Sequence, residues 1–302
     1  CSSDLKAFLS AVVGYYTDAD GNMLSMPFNS STPILYYNKD VFQKAGLDPE
    51  QPPKTWEDVE SYSKKIMSSG AAKCGFTTGW ISWVQLENFS AWHNKPIGTL
   101  QNGIGGSDAE LTVNGDLQVR HWTNLKKWQD EGLFQYGGPA GGNDAPPKFY
   151  SQECAIYMNS SASRAGVIAN SKDFQVGFGM LPYYSDVQGA PQNSIIGGAT
   201  LWVLKGHGEA EYKGVADFFS FLSSPEVQAD WHQYSGYLPI TEAAYKLGQE
   251  QGFYAKNPGS DVAIKQITLN PPTDNSKGLR FGNYVQIRDV IDEEFQNLLA
   301  GQ

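Results

Sequence analysis

Residues 33–70 read PILYYNKDVFQKAGLDPEQPPKTWEDVESYSKKIMSSG. The first six are apolar and β-preferring, so 33–38 reads as a strand. Asn38 and Asp40 can cap a short helix, VFQKAG, which Gly46 closes. A second helix opens at TWED, where Thr55 and Asp58 stand at capping-box spacing. Trp56, Val59, Tyr62 and Ile66 then recur at helical intervals before a Gly stop. Strand, helix, helix and then a new strand, CGFTTG (74–79), is the rhythm of an α/β chain.

The alternation continues outward. A helix is expected over 116–131, with Val119, Trp122, Leu125 and Trp128 on one face, and GGPAGGNDAPP (137–147) is a loop by composition. Strand ECAIYMN, a helix near 164–170 and strand QVGFGMLP follow, and APQNSIIGGATLWVL (190–204) is a Gly-hinged turn entering a strand. In EYKGVADFFSFL, Val215, Phe218, Phe219 and Leu222 form one stripe; Ser224 and Pro225 then suit N-cap and N1 of another helix. The last helix, 284–299, is expected to bury Ile287, Ile291, Phe295 and Leu298. The fold class is α/β with helices covering a sheet. Three short stretches, FNSSTP, PQNSIIGG and GYLPIT, read as crossings between two lobes rather than surface turns.

A chain of 302 residues can bury a core in two lobes. Its formal charge of −10 argues against nucleic acid as a partner, which needs clustered Lys and Arg. No window has the apolar length of a membrane span. Aromatic residues make up 13%, which suits recognition of carbohydrate or polyol C–H faces, and equally suits a large core. The cysteines are Cys1, Cys74 and Cys154, with no CxxC, and His93, His121, His207 and His232 are scattered, so no metal site is expected. Cys74 and Cys154 each open a strand; a disulfide and a pair of buried free thiols are both open. The opening CSSDL reads as a cloning or sequencing scar, the alternative being a lipidated first cysteine.

Catalysis has little support, because GxSxG, GxxxxGK[ST], HExxH and a helix-opening GxGxxG are all absent from the sequence. Asp292, Glu293 and Glu294 are expected on a solvated helix face. Anion binding has more. Only Arg120, Arg164, Arg280 and Arg288 occur, and KGLRFGNYVQIR sets Arg288 in the first turn of the last helix, where unpaired N–H groups favour a phosphate. A structural pair of Arg288 with Asp289 or Asp292 is the competing reading. In MNSSASRAG, Ser160 or Ser161 can cap a helix or face a phosphate oxygen. FNSST offers Ser30, Ser31 and Thr32, and in IIGG the residues Gly197 and Gly198 let backbone N–H groups approach a ligand.

Taken together, PFNSSTPILYYNKDVFQKAGLDPEQPPKTWEDV, CGFTTGWISWVQLENFSAW, APQNSIIGGATLWV, WHQYSGYLPIT and KGLRFGNYVQIR resemble the periplasmic sn-glycerol-3-phosphate-binding proteins of ABC importers. These fall within the oligosaccharide-binding group of extracellular solute-binding proteins. YNKD and PPKTWEDV are shared across that group; the other segments are more specific to the glycerol-phosphate branch. The resemblance implies a periplasmic-binding-protein-like (type II) two-lobe fold that closes on ligand. It further implies that the first lobe is incomplete here: members begin with a further βαβ portion, which supplies a tyrosine and a glutamate contact, and end with another helix. The expected division is 1–32 as remnant of lobe 1 and first crossing, 33–190 as lobe 2, 191–239 as a lobe 1 segment, and 240–302 as a return to lobe 2.

Carried over residue by residue, the resemblance implies that Ser31, Ser161 and Gly198 donate hydrogen bonds to phosphate or glycerol oxygens. Tyr237 gives a hydroxyl from the hinge, and Arg288 is the charged phosphate partner. Trp80, beside Gly79 at a strand end, lies against the glycerol carbons, with Trp83 a second candidate. Trp92 is core or lobe surface, and Trp56, Trp122 and Trp128 are packing residues. The implied function is a periplasmic, monomeric, non-enzymatic binder, without cofactor or metal, that hands sn-glycerol 3-phosphate or glycerophosphodiesters to a membrane permease. An oligosaccharide binder of the same superfamily is the alternative, and a glycerophosphodiester hydrolase the alternative of another class.

Overall fold

The computed structural model describes residues 7–18, 20–138 and 144–302. Cys1, the CSSDL segment and loop residues 139–143 lie outside the described residues. Among the described residues seven strands form two sheets: β1 (Met26–Ser31), β2 (Pro33–Asn38), β3 (Cys74–Thr78), β4 (Phe134–Tyr136), β5 (Cys154–Ser160), β6 (Val176–Gly179) and β7 (Gly197–Leu201). The larger sheet has the order β4-β3-β5-β2-β6, and β1 pairs with β7 alone.

The strand at 33–38 is the middle of the fold. All six of its residues are buried, and their alternation feeds two cores. Leu35 and Tyr37 enter the larger cluster with Trp56, Phe76 and Trp128. Ile34 and Tyr36 enter a second cluster with Phe149, Tyr157 and Ile264. An apolar run without polar alternation is what a strand covered on both faces requires. Thr55 accepts from the Asp58 N–H while the Asp58 carboxylate accepts from the Thr55 N–H, so the capping box forms and Trp56–Ser68 follows it. Strand β3 is parallel to both β4 and β5, and β2 is antiparallel to β5 and β6. Cys74 and Cys154 face each other in register and are joined by a disulfide, which closes the open choice between bridge and thiols.

The three stretches read as crossings lie side by side. Strands β1 and β2 are separated by Thr32 alone. Its hydroxyl reaches Ser194 Oγ at 2.7 Å and the Ile195 carbonyl at 2.9 Å. Leu238 N–H donates to the Ser30 carbonyl at 2.7 Å. Thus the stretches at Ser194–Ile195 and Leu238 are both held to Ser30–Thr32.

Several helix faces differ from expectation. Along Asp116–Asp130 the buried residues are Gln118, His121, Leu125 and Trp128, whereas Val119 is 52% exposed. Two polar side chains take the inner face because each finds partners there: Gln118 on Ser90 and the Pro96 carbonyl, His121 on Gln85 and Tyr184. The stripe on Glu209–Leu222 is only partly covered: no residue of that helix is fully buried, Val215, Phe219 and Leu222 are half-buried, and Phe218 is over half exposed. In the last helix, Tyr284–Ala300, Phe295 and Ile291 are buried, Ile287 and Leu298 only half so. Asp292, expected in solvent, is buried there.

Candidate functional site

One edge of the large sheet gathers several of the residues singled out from the sequence. Because β3 and β5 are parallel, their C-terminal ends lie together, and antiparallel β2 begins at that same edge. Trp80 follows β3, Ser161 follows β5, and Thr32 precedes β2. In open α/β sheets, ligands sit outside the carboxyl ends of strands.

Ser161 donates its N–H to the Thr32 carbonyl at 2.8 Å, and its Oγ accepts the Thr32 N–H at 3.3 Å. Its hydroxyl proton stays available for an acceptor. The capping role falls to Ser160, whose Oγ accepts from Ala162 N–H. Ser31 is buried and pairs in register with Gly197, and Gly198 stands opposite Ser30. Gly198 has φ +119°, and a Cβ there would lie 2.3 Å from the Asn29 carbonyl oxygen, so only glycine fits. Tyr237 is half-buried, adjoins the Ser30–Leu238 contact, and its carbonyl accepts from His232 Nδ1. Its hydroxyl has no hydrogen-bond partner among the described residues. Ser31, Ser161, Gly198 and Tyr237 therefore converge on Ser30–Thr32.

Trp80 is 45% exposed and has φ +48°, a left-handed conformation that a bulky side chain adopts at a cost of order 1–3 kcal/mol. The preceding Gly79 has no room for a side chain, since a Cβ would stand 2.7 Å from Asn159 Nδ2. This corner turns the indole outward at the strand edge. Immediately after it comes a π-helical turn, Trp83–Asn88, whose six residues are all buried. Such turns are rare and concentrate at functional sites. This one reaches the crossing twice: the Trp83 ring packs against Gly197, and Asn88 Oδ1 accepts the Ile195 N–H at 2.9 Å. Trp92 is buried in the core, as are Trp56 and Trp128, while Trp122 packs half-buried against it.

Arg288 meets the same turn from the last helix. It lies in the second turn of Tyr284–Ala300, not the first, because the helix opens at Tyr284 after Asn283 in a left-handed conformation. Neither Asp289 nor Asp292 is its partner. Its Nε and Nη2 donate to the two carboxylate oxygens of Glu87 at 2.7 and 2.6 Å. The Glu87 side chain is fully covered, while that of Arg288 is 36% exposed. Burial pushes the Glu87 carboxyl above its usual value, against the pull of Arg288. Burial works against the guanidinium as well, yet the bonds to Glu87 outweigh it and hold Arg288 charged. Arg288 also lies over the Tyr284 ring at 5.0 Å. Arg280 points elsewhere, to the carbonyls of Tyr15 and Thr17. A cavity of about 280 Å³ lies beside Tyr284, lined by Arg280, Tyr15, Thr200 and Trp202 among others; neither Arg288 nor Glu87 lines it. Among the described residues no group of His, Cys, Asp and Glu is arranged to hold a metal ion.

The sequence pattern of bacterial extracellular solute-binding proteins matches residues 2–260. The chain belongs to that family. Within it, the sn-glycerol-3-phosphate-binding periplasmic protein UgpB of Pectobacterium atrosepticum is 52% identical over 99% of this chain and 67% of its own length. UgpB of Salmonella typhimurium is 51% identical over 99% of this chain and 68% of its own. As a solute-binding protein the chain also shares its architecture with solved structures. The cyclic alpha-maltosyl-1,6-maltose binding protein from Arthrobacter globiformis superposes with TM-score 0.79 at 20% identity, covering 100% of this chain and 73% of that one. UgpB from Mycobacterium tuberculosis, in complex with glycerophosphocholine, gives TM-score 0.71 at 21% identity over 97% and 74%. These two show the two-lobe solute-binding fold. Glu87 and Asn88 escaped the sequence reading, although a lone carboxylate inside the apolar run WVQLENFSAW was a visible signal.

Proposed function

We propose that this protein is the periplasmic substrate-binding component of an ABC importer, capturing sn-glycerol 3-phosphate or glycerophosphodiesters between its lobes for delivery to a membrane permease. The observation that carries the reading is the roughly half identity to proteins named for binding sn-glycerol 3-phosphate, held along 99% of the chain. In this reading Arg288 takes phosphate oxygens with its outer edge, Ser31, Ser161, Gly198 and Tyr237 bond the remaining oxygens, and Trp80 supports the glycerol carbons. The protein acts by binding and release, with no covalent step. Residues 33–190 and 240–302 form one lobe, with 1–32 and 191–239 contributing to the other. The crossings at Ser30–Thr32, Ser194–Gly197 and Tyr237–Leu238 serve as the hinge. No helix of the described residues is long and apolar enough to cross a membrane.

Calorimetry on the full chain tests this. Heat is expected with sn-glycerol 3-phosphate and with glycerophosphocholine, and none with maltose. Arg288→Ala should weaken phosphate binding by about 10- to 100-fold, the range for a charge-assisted pair. Binding of maltose in place of either phosphate would reject the assignment.

A further inference from the structure

Two carboxylates are buried among the described residues, Glu87 and Asp292, and both face the contact between the π-helical turn and the last helix. Glu87 takes the Nε–Nη2 edge of Arg288 with both oxygens. Nη1 makes no hydrogen bond among the described residues, and the Tyr284 ring lies against the guanidinium. The arginine is therefore gripped along its Nε–Nη2 edge, and its side chain as a whole is 36% exposed.

We propose that Glu87 is the positioning residue of the phosphate site, fixing Arg288 side-on so that Nη1 and the outer Nη2 proton are presented to the ligand as a preformed fork. The proposal rests on the reading of Arg288 as the phosphate partner. An arginine has a long flexible stem, and binding normally loses affinity in ordering it; a side chain already ordered avoids that loss. Glu87 is suited to this because its own backbone is fixed on both sides. Trp83, one π-turn earlier, packs on Gly197, and Asn88, next in sequence, binds Ile195. The turn that aims the arginine is thus the one that grips the crossing between lobes. Glu87 itself has no edge left for a ligand.

The test is titration of the full chain with sn-glycerol 3-phosphate, with thermal melting of each variant. Glu87→Gln keeps shape and removes the charge; it is expected to bind about tenfold more weakly. Arg288→Ala loses more, and the double variant is expected to bind no worse than Arg288→Ala alone, because Glu87 acts only through Arg288. A purely structural Glu87 would instead add its loss in full, and that result, or Glu87→Gln binding within twofold of the unsubstituted protein, overturns the proposal. Should Glu87→Gln fail to fold, the unsubstituted protein still decides: NMR should show a slowly exchanging Arg288 Nε proton both before and after ligand is added, and a rapidly exchanging one overturns the assignment. If Arg288→Ala binds as well as the unsubstituted chain, the site assignment falls, and the role of Glu87 with it. If the unsubstituted chain binds neither phosphate, the proposed function is what has failed.

Discussion

His93 shows what a single side chain contributes here. Its Nδ1 bonds the Phe89 carbonyl at 2.7 Å, and its Nε2 accepts the Tyr184 N–H at 2.9 Å. Only the neutral ring can do both, with the proton on Nδ1. Burial pulls its pKa down to about 4. Since the unfolded chain keeps the ordinary value near 6.5, it binds the proton first as pH falls. Stability from this residue is therefore complete above about pH 6.5 and lost between there and about pH 4. A shift of that size corresponds to about 3 kcal/mol. Urea unfolding at pH 7.5 and 4.5 should show His93→Gln losing ~2 kcal/mol less than the unsubstituted protein over that interval; equal losses would refute the account. At this scale the sequence was half informative. It singled out Arg288 and Trp80 by type and neighbourhood. It could not supply the arginine's partner, because Glu87 stands 201 positions away and the nearer Asp289 and Asp292 looked more plausible.

At the scale of elements, the strands and helices with a strong repeating pattern were legible. Thr55 and Asp58 announce Trp56–Ser68, and Ser224 with Pro225 announces Pro225–Ser235. Strand β1 was not, since FNSS carries turn residues and is made a strand by β7, some 170 positions later. Nor was the π-helical turn, whose extra residue per turn leaves no periodic trace in six buried positions. The β1–β7 pair gives a direct test. Gly198→Ala puts a Cβ 2.3 Å from a backbone oxygen at φ +119°, where only the backbone can yield. It should destabilise by about 2–4 kcal/mol and speed hydrogen exchange across Met26–Ser31. Gly166→Ala, in a helix with open space around it, should do the opposite, stabilising by about 0.5–1 kcal/mol. If both changes cost the same in a urea titration, conformational restriction at Gly198 is not the cause.

For the whole molecule, the disulfide is the longest covalent constraint, joining strands 80 positions apart. Closing a loop of that length restrains the unfolded chain by about 4 kcal/mol in the chain-entropy account. Cys74→Ala with Cys154→Ala should lower the urea midpoint accordingly while leaving ligand affinity within a fewfold, because the bridge lies at the start of β3 and β5, away from the edge that carries Trp80 and Ser161. A large loss of affinity at unchanged stability would contradict that separation. The sequence by itself determined the α/β class, the central buried strand and the capped helices. Those follow from local periodicity, capping and turn chemistry, which act over a few residues. Only the tertiary structure decided that Cys74 and Cys154 are bridged and that the stripe on Glu209–Leu222 is only partly covered. It alone set Glu87 beneath Arg288, since pairing, burial and the aim of a charged side chain depend on segments that meet only after the chain has folded.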